Sequence, residues 1–134
     1  NKNVESYLGN RDRKQKNVHL LRLGEVYLIQ AEAALELNQL AEAENALNVV
    51  RRRAGLAPVS GLGKDQLREA IWKERRVELA MEHDRFFDLV RQGRAASVLQ
   101  AQGKRFVAGK NERLPIPAVQ IALSGGTLTQ NPGY

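Results

Sequence analysis

The sequence LREAIWKERRVELAMEHDRFFDLVR occupies residues 67–91 and interleaves carboxylates with arginines along what is otherwise an amphipathic helix. Glu74, Glu78 and Glu82 recur every four residues, so they stand in one row on a helix. Because three aligned carboxylates repel one another, the row requires guanidinium groups from its own or neighbouring segments. The pattern therefore predicts a structural ion-pair network that ties this helix to other elements. The other charged residues around the row are Arg75, Arg76, Arg85, Asp88 and Arg91.

Length and composition indicate one helical domain. The chain has 134 residues, of which 43% are hydrophobic and 5% aromatic, so it is long enough to bury a single continuous core. Alanine and leucine dominate the apolar positions, and their periodicity is that of helices. An all-α fold with few strands is the expectation. Residues 1–17 show no sustained periodicity and are predicted to be an irregular lead-in to a folded domain at 18–134.

The first two helices are predicted to form an antiparallel hairpin with a partial tetratricopeptide character. Residues 18–37 form a continuous helix with a wide apolar arc and a narrow polar stripe, so this helix should lie between two neighbours. A turn at 38–39 leads to a second helix at 40–54, which Gly55 ends because glycine adopts the left-handed C-cap conformation. The polar stripe of the first helix consists of Arg22, Glu25, Glu32 and Glu36.

A third, charged helix is predicted after a loop at residues 55–63. Residues 83–84 should interrupt it, after which a shorter helix spans 85–92 and a last turn or two cover 95–102. Trp72 lies on a flank of the third helix, where it either packs or stays half exposed.

The C-terminal residues 103–134 are predicted to form an extended tail that wraps. Glycine, asparagine and proline occur at intervals that prevent a long helix. Pro117 is suited to begin a short helix through Leu123. Pro132 and Gly133 suit the two central positions of a type II turn.

Composition and charge exclude several classes of site. The chain has no cysteine, so it contains no disulfide, thiolate metal site or cysteine nucleophile. No run of about 18 apolar residues is present and the first residues are polar, so neither a membrane span nor a secretory signal is expected in this sequence. The net charge of +6 raises the question of nucleic acid. No recognition-helix or stacking motif accompanies the basic clusters, so nucleic-acid binding is not expected.

Catalysis and metal binding are not expected either. Glu74 and Glu78 share one helix face, whereas the two carboxylates of a glycosidase face each other across a cleft. The nearby arginines should lower the pKa of both carboxyl groups, which is the opposite of what a general acid needs. His19 and His83 lie on different elements, with no carboxylate spacing typical of a metal site or a triad. No catalytic residue, metal ligand or cofactor is predicted.

Five short motifs occur along the chain. They are LRLGEVYLIQAEA at 21–33, ALNVVRRRAG at 46–55, ERRVELAMEHDRFFDLVRQG at 74–93, LPIP at 114–117 and TQNPGY at 129–134. Their order and spacing over residues 18–134 resemble the C-terminal part of the SusD/RagB family. Each motif is weak alone, but the ordered set is specific.

The resemblance implies a non-catalytic, lipid-anchored protein on the outer face of a Gram-negative outer membrane, built on stacked tetratricopeptide-like helix pairs. Such proteins bind nutrient oligosaccharides and work with a TonB-dependent SusC-like transporter. The lipid-bearing cysteine of the family lies at the mature N-terminus and is absent here, so this chain is expected to be a C-terminal scaffold portion. The glycan is held mostly by upstream loops, so no ligand-binding residue is assigned.

Charged residues of the matched motifs are expected to fasten the helix pairs and the tail to one another, together with Asn48. An alternative function is a free-standing helical-repeat module that binds a protein or a polyanion through its basic surface. The expected members of the structural network are Arg51, Arg53, Glu74, Arg75, Glu78, Arg85, Asp88 and Arg91.

Overall fold

The computed structural model describes residues 20–134, and all regular secondary structure within this range is helical. The all-α prediction is confirmed. The lead-in predicted for residues 1–17, and His19, lie outside the described range. No helix between residues 20 and 134 is both long enough and apolar enough to cross a membrane. The helices are α1 (Leu23–Glu36), α2 (Leu40–Arg53), α3 (Lys64–Glu78), α4 (Arg85–Arg91), α5 (Ala95–Ala101) and α6 (Ala118–Leu123).

The first helix begins later than its apolar pattern predicts. The periodicity favours a start at residue 18, whereas α1 begins at Leu23 and residues 20–22 are not helical. Arg22 has an extended backbone, with φ −139° and ψ 156°, and its guanidinium group reaches carboxylates at the end of α3. Leu20 is 91% exposed. Leu20 therefore does not pack in the core, and the helix does not extend to this residue.

The first three helices pack around one apolar core. α1 and α2 form the predicted hairpin, and α1 also contacts α3, which confirms that α1 lies between two neighbours. Ala31 and Ala43 are fully buried, so small side chains let α1 and α2 approach each other closely. Full burial of one large aliphatic side chain contributes about 1.5–3 kcal/mol. The largest fully buried side chains of this core are Leu28, Leu35, Leu47, Leu67 and Ile71.

A second, smaller apolar cluster lies under α4 and α5. It contains the buried side chains of Leu89, Ala95 and Phe106. The turn between α3 and α4 separates the two clusters, and Met81 and His83 adopt positive φ values of 71° and 69° in it. Such values are uncommon for residues other than glycine. His83 lies at the predicted interruption of residues 83–84, but α3 ends earlier than predicted, at Glu78. The described residues therefore contain two apolar clusters, one from the elements before this turn and one from the elements after it.

The loop between α2 and α3 is held by one side chain of α2. The Nδ2 group of Asn48 donates to the carbonyl oxygen of Val59 at 2.8 Å, and its Oδ1 accepts from the Val59 N–H at 2.8 Å. Both backbone groups of Val59 are thereby satisfied by one amide. This contact fixes where the chain turns toward α3.

Replacing Asn48 by alanine is expected to lower the free energy of unfolding by about 1–3 kcal/mol, because it leaves two partly buried backbone groups of Val59 without partners. The matched control is Asn45→Ala, since Asn45 is exposed on the same helix. Urea unfolding followed by circular dichroism measures both variants. Equal midpoints for the two variants would show that the amide does not hold the loop.

The C-terminal tail wraps back on itself. Gln130 pairs with both backbone groups of Ile116: its Oε1 accepts from the N–H at 2.8 Å, and its Nε2 donates to the carbonyl at 2.9 Å. The Tyr134 hydroxyl donates to the carbonyl of Arg113 at 2.9 Å. These bonds bring the LPIP and TQNPGY segments together. The short helix α6 follows Pro117 directly, as the sequence predicts.

Candidate functional site

Carboxylates and guanidinium groups meet on the side of α3 that faces the first two helices. Arg51, in the last turn of α2, donates from Nη1 to Glu74 Oε2 at 2.9 Å and from Nε to the carbonyl of Ala57 at 2.9 Å. This arginine therefore joins α2, the following loop and α3. We call the ion pairs of this region together the charged network; among residues 20–134 they form three separate groups. Its members are Arg22, Glu25, Glu32, Arg51, Arg53, Glu74, Arg75, Glu78, Glu82, Asp88 and Arg91.

Glu78 is shared by arginines from two elements. Arg22 Nη1 donates to Glu78 Oε1, and Arg53 Nη2 lies 2.6 Å from the same oxygen. Burial acts to raise the pKa of Glu78, but the hydrogen bonds from Arg22 and Arg53 outweigh it, and the pKa lies below its ordinary value. A Cβ atom at Gly24 would lie 2.7 Å from Glu78 Oε1. Glycine at this position thus lets α1 approach the paired carboxylate.

Only two of the three carboxylates in the predicted row lie on the helix. Because α3 ends at Glu78, Glu82 lies in the turn that follows. Arg22 Nε donates to Glu82 Oε2 at 2.8 Å, so one guanidinium bridges Glu78 and Glu82. The helical row contains only Glu74 and Glu78, and each has an arginine partner from α2.

The most buried ion pair of the charged network joins α3 to α4. The side chains of Arg75 and Asp88 are 6% and 5% exposed, and Arg75 Nε lies 3.1 Å from Asp88 Oδ2. Arg75 Nη2 also lies 3.4 Å from Glu25 Oε1 on α1. Arg91 Nη2 lies 3.0 Å from Asp88 Oδ1. Three helices are therefore connected through one buried guanidinium group.

Glu32 of α1 completes the network at the other end of α4. Its two oxygens accept from Arg91 Nη1 and Nη2 at 2.7 and 2.8 Å, and Oε1 also accepts from Trp72 Nε1 at 3.1 Å. Burial acts to raise the pKa of Glu32, but the hydrogen bonds from Arg91 and Trp72 outweigh it and place the pKa below its ordinary value. Trp72 is half-buried, which settles the alternative that its sequence position leaves open.

Acid is expected to remove the stability that Glu32 contributes. Its folded pKa lies below the ordinary value of 4.5, so the contribution is fully present above the unfolded pKa and is lost as pH falls through the folded pKa. The Glu32→Gln variant should therefore be less stable than the wild type by about 1 kcal/mol at pH 7, and the difference should shrink at about pH 3. Urea unfolding at both pH values measures it. A difference of equal size at both would contradict the assignment.

One expected member does not join the charged network. Arg85 makes no ion pair with any other described residue, and the charges of Arg76 and Arg94 repel its guanidinium group. The structure brings the other seven expected residues into ion pairs with carboxylate or guanidinium partners. Among residues 20–134, the ion pairs of the network join the segment preceding α1, the helices α1 to α4 and the turn after α3, and none of them reaches the tail. The expected list lacked Arg22, Glu25, Glu32 and Glu82, the last of which belongs to the predicted carboxylate row.

A signal for the missed members is present in the sequence. Arg22, Glu25 and Glu32 belong to the narrow polar stripe of the first helix. A polar stripe on a helix enclosed by two neighbours has charged partners when a neighbour carries complementary charge. Combining this stripe with the arginines of α3 and α4 identifies partners for Glu25 and Glu32, and combining it with the predicted carboxylate row identifies partners for Arg22.

The charged network joins helices through paired charges. A general acid needs a raised pKa, whereas the pKa values of Glu32 and Glu78 are lowered by their arginine partners. Within residues 20–134, no three histidine, aspartate or glutamate side chains are grouped so that they could hold a metal ion. The arrangement holds helices in fixed relative positions.

Comparison with known proteins shows that the chain resembles the SusD family. The model of the SusD family matches residues 1–134. SusD-like protein P2 of Formosa agariphila is 33% identical over 140 residues, which covers 94% of this chain and 28% of that protein. SusD-like protein P25 of the same organism is 36% identical over 115 residues, covering 78% of this chain and 22% of the relative. The chain thus spans about a quarter of the length of these relatives.

Two solved structures of SusD-like proteins also resemble this chain. The crystal structure of a SusD-like protein from Bacteroides fragilis superposes with a TM-score of 0.71 at 32% identity, covering 85% of this chain and 25% of that one. A laminarin-binding SusD-like protein superposes with a TM-score of 0.70 at 45% identity, covering 87% of this chain and 23% of that one.

Proposed function

Because this chain belongs to the SusD family, we propose that it is the C-terminal scaffold portion of a non-catalytic glycan-binding protein that serves nutrient uptake. The whole protein would act at the surface of the outer membrane, held there by a lipid on an N-terminal cysteine outside this sequence. It would deliver oligosaccharides to a TonB-dependent SusC-like transporter. The family match over the entire chain is the observation that carries this proposal.

The geometry of the chain supports a scaffold role for this portion. The family-like motifs contain all members of the charged network and most residues that close the tail. Arg75 and Asp88 are buried and paired, and Gln130 is engaged with the backbone of Ile116. Side chains engaged in this way hold the fold together and are not free to bind a sugar. We therefore place glycan recognition mainly in parts of the protein outside this chain.

A structural relative suggests which glycan to test first as a ligand. Since one structural relative at 45% identity is a laminarin-binding protein, laminarin is the first glycan to examine. The whole native protein, titrated calorimetrically with laminarin and with other polysaccharides, should bind at least one glycan and leave it uncleaved. Cleavage of the bound glycan, or failure to bind any glycan, would count against the proposal.

The partner is tested in the membrane of the source cell. The native protein, isolated from the outer-membrane fraction after mild detergent extraction, should be far heavier than 15.0 kDa, carry a lipidated cysteine and co-purify with a TonB-dependent transporter. A native product of about this mass in the soluble fraction would contradict the uptake role. Salt-sensitive retention on heparin as its main activity would instead support the alternative of a polyanion-binding module.

A further inference from the structure

A positively charged cavity of about 340 Å³ lies beside Trp72, the single tryptophan of the chain. One carboxylate lines it: Glu69 is 63% exposed, and its Oε2 lies 3.5 Å from Arg94 Nη2. This exposed pair neutralises one of four cationic side chains in the cavity wall. The cations are Lys73, Arg76, Arg85 and Arg94.

Arg85, one of the four cations of the cavity wall, has hydrogen-bond donors that no side chain of residues 20–134 uses and neighbours that repel its charge. It is half-buried, yet it makes no ion pair or side-chain hydrogen bond with another described residue. A guanidinium group carries five N–H donors, and no side-chain acceptor among the described residues is bonded to those of Arg85. The pKa of Arg85 lies below its ordinary value, first because burial removes water and then because Arg76 and Arg94 repel its charge. The attraction of Asp88 acts in the opposite direction and does not compensate.

We propose that this cavity binds an oxyanion, the carboxylate or sulfate group of an acidic ligand, between Arg76, Arg85 and Arg94. A guanidinium group donates two parallel hydrogen bonds to either kind of anion. An anion there would supply acceptors to Arg85 and offset the repulsion among the three arginines. The proposal does not depend on the function proposed above.

Two parts of the cavity wall are fixed before a ligand arrives. The guanidinium carbon of Arg94 lies 4.8 Å from the centre of the Trp72 ring. The indole Nε1 of Trp72 donates to Glu32, which is itself held by Arg91. Because these side chains are already ordered, binding has little conformational entropy to remove from them. The site is therefore preorganised for a small anionic group.

The single tryptophan provides the readout. The indole N–H resonance of Trp72 is followed by NMR while sodium sulfate or sodium glucuronate is added, with sodium chloride adjusted to keep the ionic strength constant. We expect a saturable shift with sulfate, glucuronate or both, and none with chloride alone. Saturation by only one of the two identifies the group that the site accepts. If neither sulfate nor glucuronate shifts the resonance more than chloride does, the proposal is overturned.

Matched variants distinguish binding in this cavity from a general effect of removing one positive charge. Arg85→Gln is expected to weaken binding about tenfold, because it removes charge-assisted hydrogen bonds. Arg105→Gln removes the same charge from an exposed position outside the cavity and is expected to keep the wild-type affinity. Should Arg85→Gln fail to fold, Arg76→Gln takes its place with the same expected loss. Wild-type affinity in the folded cavity variant, or an equal loss in Arg105→Gln, would rule the site out.

Discussion

Replacing Arg75 by methionine is expected to lower the free energy of unfolding by about 3–5 kcal/mol. The substitution removes the guanidinium group that lies 3.1 Å from Asp88 Oδ2 in the least exposed ion pair of the charged network. Asp88 is left buried, with Arg91, whose side chain is 45% exposed, as its remaining ion-pair partner. Since small domains have total stabilities of about 5–15 kcal/mol, the urea midpoint should fall by a large fraction of its value.

Two further variants test whether the buried charge is the cause. Arg76→Met changes the adjacent arginine, which is exposed, and is expected to alter the stability by less than about 0.5 kcal/mol. The double variant Arg75→Met with Asp88→Leu removes both buried charges and is expected to recover much of the loss, because apolar side chains replace buried ion pairs at little cost. Equal stabilities of Arg75→Met and the wild type would show that the pair contributes little.

Replacing Ile71 by alanine is expected to cost about 2–5 kcal/mol, because it opens a cavity in the core that the first three helices share. Ile71 has no exposed surface and packs within the cluster formed by α1, α2 and α3. The substitution removes buried methyl groups, and the surrounding helices are tied to one another by the charged network and relax only in part. Thermal unfolding followed by circular dichroism should show a clear decrease in Tm.

The same substitution at an exposed isoleucine is the control. Ile29 lies on α1 and is 49% exposed, so Ile29→Ala should change the stability by less than about 0.5 kcal/mol. A loss at Ile29 as large as that at Ile71 would mean that burial in the three-helix core does not determine the cost.

The positions of most helix ends could be predicted because their signals are local. α2, α4 and α5 each end one residue before the predicted boundary, and glycine follows each of them within two residues. Gly55, Gly93 and Gly103 have φ values of 73°, 67° and 71°, the left-handed conformation that glycine adopts at helix ends. The start of α1 could not be predicted from its own apolar pattern. It depends on Arg22, whose carboxylate partners are more than fifty positions away in sequence.

The charged network was predictable in kind but not in its pairing. Repulsion within a row of carboxylates requires cations nearby, and that requirement can be read from residues 67–91 alone. Which arginine meets which carboxylate depends on how the helices pack. Arg85 shows the difference: its spacing from Asp88 is compatible with a helical pair, yet Arg75, thirteen positions earlier in the sequence, lies against Asp88 instead.

The sequence by itself determined the all-α class, the hairpin of the first two helices, the break after the third and the membership of most of the charged network. Each of these follows from periodicity, turn chemistry or local charge, which act over a few residues. Only the tertiary structure decided the division into two apolar clusters, the pairing of the charges and the absence of an ion pair between Arg85 and any other residue of 20–134. These depend on side chains far apart in sequence, whose contacts are set by the packing of whole helices.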